Sequence, residues 1–182
     1  MKPNLIPIIF IVAFVAITSL ACAGLTDAAE VEVAPTVANN APGGSPATAY
    51  PVGQQISVED MTFEVTGIIR PADSIVAEGN VFNTAAKDGQ EYLFVKLKIT
   101  CELPADDTCT FSLLNFSIVE SDGSAYDAEL FVAGVADMLE DQDFAGGEVL
   151  EGNLGFILHQ AEVDPVLMYE SFSQETFYMK IQ

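Results

Sequence analysis

From Met61 to the C-terminus the chain alternates apolar and polar positions with a period of two, the pattern of strands with one buried face. Met61, Phe63, Val65, Gly67 and Ile69 alternate with Thr62, Glu64, Thr66 and Ile68. The clearest run is Glu91–Cys101, where Leu93, Val95, Leu97, Ile99 and Cys101 share one face and Tyr92, Phe94, Lys96, Lys98 and Thr100 the other. Phe111–Glu120 places Leu114, Phe116 and Ile118 together, and Asp122-Gly123 is a turn before a strand over Ala125–Leu130. Leu154, Phe156 and Leu158 alternate with Gly155, Ile157 and His159, and strands over Pro165–Ser171 and Glu175–Ile181 close the chain.

Two stretches break this rhythm. Arg70–Gly89 is a long, mostly polar connection carrying Val81 and Phe82. Phe131–Gly147 predicts one helical turn around Ala136–Asp141 before Gly146-Gly147. Seven or eight short strands with no βαβ rhythm predict an all-β fold, an antiparallel β-sandwich occupying residues 50–182. That span suits one core and is too short for two.

The segment before the domain is of another kind. Lys2 precedes an apolar run from Leu5 to Ile17, broken by Pro7 alone, and small residues follow at Ser19, Ala21 and Cys22. This is the anatomy of a secretory signal peptide over residues 1–22, which predicts export across the cytoplasmic membrane. Its end reads in three ways. Ser19-Leu20-Ala21-Cys22 resembles a bacterial lipobox, in which Cys22 would carry a lipid anchor at the cell surface or periplasmic face. Ala21-Cys22-Ala23 also fits an A-x-A site that would release the protein, and Leu5–Gly24 just reaches the length of an uncleaved membrane anchor. Residues 23–48 are rich in Ala, Pro, Gly, Asn and Thr without an aromatic or a periodic apolar face, which predicts a disordered tether.

Charge narrows the partners. The net charge of −21 becomes −22 once Lys2 leaves with the signal, because all 27 acidic residues lie beyond Cys22. Phosphate backbones demand a basic face, so nucleic acid is not an expected partner. Beyond Cys22 the cysteines are Cys101 and Cys109, an even number in an oxidising compartment, which predicts a disulfide. The Pro104- and Asp106-containing loop between them suggests that they face each other near the end of a hairpin.

Four motifs in order point to a family. Tyr50–Gly67 carries Val52, Gly53, Val58, Phe63 and Val65 at the spacing of a "VG-x4-V-x4-F-x-V" opening. Glu91–Ile99, then Phe116–Tyr126 with its Asp122-Gly123, then Gly147–Phe156 follow. Together they resemble the telokin-like extracellular immunoprotective domain of bacterial lipoproteins, with Thr100-Cys101 where that family carries Asn. The resemblance implies an immunoglobulin-like sandwich and brings no catalytic residues with it.

Candidates for chemistry are few. His159 is the only histidine, at a predicted strand end, and no Gly-x-Ser-x-Gly elbow accompanies it. Asp137, Glu140, Asp141 and Asp143 gather carboxylates that calcium favours, and Glu148 stands at the twelfth place counted from Asp137. Leu139 and Gln142, however, occupy places that need an oxygen ligand and a glycine, so this loop is a weak metal candidate. Asn115-Phe116-Ser117 matches a glycosylation acceptor inside a predicted strand. No cofactor is expected. These observations favour a non-catalytic envelope domain that contacts a protein or envelope component. The alternatives are a calcium-dependent module using residues 137–143 and an enzyme accessory with an unrecognised site.

Overall fold

A computed structural model describes residues 41–129 and 132–182. Ten strands follow one another in chain order: β1 Ile56–Val58, β2 Met61–Ile69, β3 Gln90–Cys101, β4 Thr108–Phe111, β5 Phe116–Val119, β6 Ala125–Asp127, β7 Gln142–Ala145, β8 Val149–His159, β9 Val166–Glu170 and β10 Thr176–Lys180. They form two antiparallel four-stranded sheets, ordered β1-β2-β3-β8 and β10-β9-β5-β6, with a two-stranded β4-β7 ribbon beside them. The expected sandwich is present.

The core lies where the inward faces of the two sheets meet. Phe63 on β2 crosses to Tyr169 on β9 at 4.8 Å between ring centroids, and to Phe116 and Phe177 at 6.0 Å each. Phe116 and Tyr169 meet edge to face at 5.1 Å. Leu93, Val95, Leu97 and Ile99 of β3 and Leu154, Phe156 and Leu158 of β8 fill the space between the sheets, as their alternation predicts.

Four details depart from the sequence pattern, each for a local reason. Along β2 the register slips between Val65 and Gly67, so Thr66 is the extra residue of a β-bulge. A one-residue slip exchanges faces, and Ile68 joins the main core while Ile69 faces outward. The Phe111–Glu120 run is not one strand, since a 3-10 turn at Leu113–Asn115 splits β4 from β5. Leu114 is therefore 69% exposed rather than buried beside Phe116, and Asn115 lies in that turn, not in a strand. Ala136–Asp141 forms no helical turn. Met138 instead pairs with Asn153 along the free edge of β8, sending Leu139 into the main core.

The helix lies in the Arg70–Gly89 connection: α1, Asp73–Gly79, covers the outward face of the first sheet. There Ala72, Val76, Tyr92 and Phe94 form a second apolar cluster, with Val132, Val135 and Met138 packed on it. Asn83 clamps this cover, its Nδ2 donating to the carbonyls of Val76 and Ala133 and its Oδ1 accepting from Ala133 N. The other outward face is lined by the chain just before the domain. Tyr50 bridges Met179 of β10, and Ala49 packs on Val119 and Val166. Residues 41–48, expected as the end of the tether, are thus ordered, with Gly43 O accepting from Tyr178 N. The expected signal peptide over residues 1–22, its Cys22, and residues 23–40 of the expected tether lie outside the described residues.

Candidate functional site

Cys101 and Cys109 form a disulfide, with sulfurs 2.04 Å and Cα atoms 5.8 Å apart, and both residues are buried. The geometry is not that of a hairpin. β3 pairs with β2 and β8, and β4 with β7, so the bond ties the β4-β7 ribbon to the first sheet. The carboxylates of the 137–143 stretch do not converge. Asp141 accepts from Leu113 N at 2.6 Å and Asp143 from Thr110 Oγ1 at 2.7 Å, each holding a neighbouring segment. Asp137 sits at the edge of β8, its carbonyl accepting from Asn153 N. Among the described residues no three His, Cys, Asp or Glu side chains group as metal ligands would.

At one end of the sandwich a polar network joins both sheets. The buried Glu120 closes β5, and its carboxylate accepts from His159 N at 2.7 Å and meets His159 Nδ1 at 2.8 Å. The carboxylate beside it holds the imidazole above its ordinary pKa, and Tyr126 Oη lies 3.3 Å from the same nitrogen. Glu162 is buried too, which pushes its carboxyl up. Donors at Ser121 N, Ser121 Oγ, Val163 N and Asp164 N outweigh that and hold it below its ordinary value. Arg70 completes the joint, pairing with Glu91 at 2.6 Å and donating to the carbonyls of His159 and Glu162. Ser121 Oγ is engaged by Glu162 at 2.7 Å, not by His159, so these residues do not compose a nucleophile–base–acid relay. The network binds strand ends together.

A different arrangement lies midway along the outward face of the first sheet, where the cover of α1 ends. Thr66, Lys96, Leu97, Asp137, Glu151, Gly152 and Asn153 line an open cavity of about 450 Å³. The Thr66 bulge shapes one wall, and Thr66 Oγ1 donates to Lys96 O. Lys96 stands opposite Asn153 in the β3-β8 register. The Asp137–Leu139 edge forms the other wall. It approaches so closely that a Cβ on Gly152 would lie 2.6 Å from Asp137 O, which is why glycine stands there. Asn153 is 8% exposed, and its Oδ1 has no hydrogen-bond partner among the described residues. Glu151 lies 3.7 Å from Lys98.

Of these cavity residues, sequence reasoning singled out Asp137 alone, and as a calcium candidate rather than as part of a cavity. The one available signal was Asn153, a polar residue between Leu150 and Leu154 in a strand whose outward positions lie next to Lys96 across the ladder. Glu120 and Glu162 were equally hidden, since they are polar residues at turns that look like any others.

The chain belongs to the DUF4352 family, a domain of unknown function, matched over residues 50–178. No curated protein matches it in sequence. Solved structures share the fold. The yjhA protein of Bacillus subtilis is similar with a TM-score of 0.54 at 13% identity, over 73% of this chain and 99% of that one. The secreted protein MPT63 of Mycobacterium tuberculosis gives 0.55 at 11% identity, over 72% and 97%. The ycdA protein of Bacillus subtilis, described as a candidate lipoprotein, gives 0.52 at 16% identity over 70% of this chain and 38% of that larger one.

Proposed function

We propose that this protein is a non-catalytic binding domain of the cell envelope, exported by residues 1–22 and held at the membrane by a lipid on Cys22. The observation that carries the reading is the buried Cys101–Cys109 disulfide, because such bonds persist in oxidising compartments outside the cytoplasm. The lipobox-like Ser19–Cys22 sequence supports the anchor, and the polar tract after it supports a tether that ends where residues 41–50 dock on the sandwich. Two proteins of the same fold, one described as secreted and one as a candidate lipoprotein, agree with that setting. The telokin-like kinship of the motifs belongs to the same reading. A net charge of −21 favours protein or envelope components over nucleic acid as partners.

Cys22→Ser tests it. The variant is expected in the medium, or stalled as a precursor, while the parent protein fractionates with membranes. Membrane retention of the variant at mature size would exclude lipidation of Cys22.

A further inference from the structure

We propose that the far edge of β6 binds peptide, a short extended segment of a partner protein adding to the second sheet as a further strand. This names the class of partner for the binding domain proposed above and rests on that reading for its setting. The first ground is the direction of the backbone groups. Glu120 N donates to Ser124 O at 2.9 Å and Ala128 N to Phe116 O at 3.3 Å, so β6 bonds to β5 through its even-numbered residues. Ala125 and Asp127 therefore turn their N–H and C=O groups away from β5, and among the described residues these groups meet no partner. At the opposite border of the same sheet the chain covers β10 itself. Tyr50 N donates to Tyr178 O at 2.9 Å, and Lys180 N to Tyr50 O at 2.7 Å. One border is thus sealed by strand pairing, and the other stays open as a template for it.

The second ground is the space beside that edge. An open groove of about 810 Å³ is lined by Ala85 and Lys87 from the segment leading into β3, by Ile157 of β8, and by Tyr126, Asp127 and Glu129. Asn153 N and His159 N both bond away from β3, so Ile157 turns its N–H and C=O the same way, and these too meet no partner among the described residues. An extended polypeptide presents donors and acceptors alternately at the repeat of such an edge, which sugars, nucleotides and simple ions do not. The faces of β6 set the side chains. A residue paired with Tyr126 shares the face that packs toward the core and should be apolar, whereas one paired with Asp127 stands beside an exposed carboxylate and should be basic. The net charge of −21 favours the same partner, and it opposes pairing of this edge with a second copy.

The full chain, purified in detergent and isotope-labelled, is titrated with the peptide acetyl-Ser-Lys-Val-Lys-Val-Ser-amide while the backbone amide resonances of Ala125 and Asp127 are followed by NMR. Both should move saturably, with a dissociation constant on the order of 1 mM for so few backbone bonds. Two further peptides carry N-methyl groups, one on both lysines and one on both valines. One of the two should lose binding and the other keep it, because a strand turns only alternate N–H groups toward its neighbour. Glutamate in place of lysine should weaken binding at least tenfold. Ala125→Pro deletes an N–H that faces the partner and none that bonds β5, so it should also weaken binding at least tenfold with an unchanged melting temperature. The methylated peptides are tested on the parent protein and decide the matter if that variant does not fold. The inference is overturned if the peptide does not saturate, if the two methylated peptides behave alike, or if the glutamate peptide binds as well. Movement of the same resonances with protein concentration alone would give the edge to a second copy and overturn it too. Fractionation of Cys22→Ser reports on location alone, so failure of one reading is distinct from failure of the other.

Discussion

The two faces of β3 are buried by different means. Inward, Leu93, Val95, Leu97 and Ile99 meet the opposing sheet along the whole strand, joined by the rings of Phe63, Phe116, Tyr169 and Phe177. Outward, Tyr92 and Phe94 are covered by α1 and residues 132–138, but Lys96 and Lys98 farther along are not. The inner contact is held by many strands at once. The outer cover consists of two connections, joined by the hydrogen bonds of Asn83 and by the close approach of Gly79 to Gly134. Stability is thereby divided. The sandwich is expected to open as a whole and the cover to open by itself.

The heaviest blow to this contrast is Phe63→Ala. Removing a fully buried ring that touches both sheets should cost about 3–5 kcal/mol. Chemical denaturation should show this loss as one cooperative transition at lower denaturant. An unchanged midpoint would mean that the rings between the sheets do not hold them together.

Asn83→Ala sharpens the contrast from the other side. It removes three hydrogen bonds to Val76 and Ala133, and should cost about 1–2 kcal/mol. The loss should be local: hydrogen exchange should quicken at the amides of Ala72 and Val76, whose acceptors are Tyr92 O and Ala72 O, and stay slow at Leu97 and Ile99. Equal acceleration on both faces would show that cover and sandwich form one cooperative unit.

The smallest effect concerns the polar joint between the sheets. Hydrogen bonding and the charge of Glu120 raise the pKa of His159 above its ordinary 6.5. The stability this adds is fully present below about pH 6.5 and is lost as pH rises through the raised folded-state value. Glu162 has the opposite sign. Its lowered pKa adds stability above its ordinary 4.5, lost as pH falls through the lowered value. His159→Gln should therefore lower the melting temperature at pH 5.5 and converge with the parent at pH 9, with the acid limb intact. A constant offset across that range would assign His159 a packing role alone.

How much of this was legible can be followed residue by residue. The inward positions of β3 and β8 were, because a period of two is printed in the chain and each strand needs only an opposing apolar layer. The disulfide was, because the two cysteines beyond Cys22 have only each other to pair with. Its place was not, since the loop between the cysteines looks like a hairpin turn, whereas β4 pairs with the distant β7. Leu114 carries the phase of a buried residue and is exposed because the turn at Leu113–Asn115 rotates it outward. The cavity was invisible, as its residues come from β2, β3, β8 and the segment before β7.

By itself, then, the sequence determined the layered all-β architecture, the inward faces of the long strands and the pairing of Cys101 with Cys109. These follow from local periodicity and composition, which act within a few residues. Only the tertiary structure decided that Thr66 would bulge and exchange the faces of Ile68 and Ile69, and that a short helix would roof Tyr92 and Phe94. It also decided that the edge at Asp137–Leu139 would close beside Gly152 and leave Asn153 without a donor. Those outcomes depend on which distant segment arrives to cover an outward face, a contest among long-range contacts that no local pattern records.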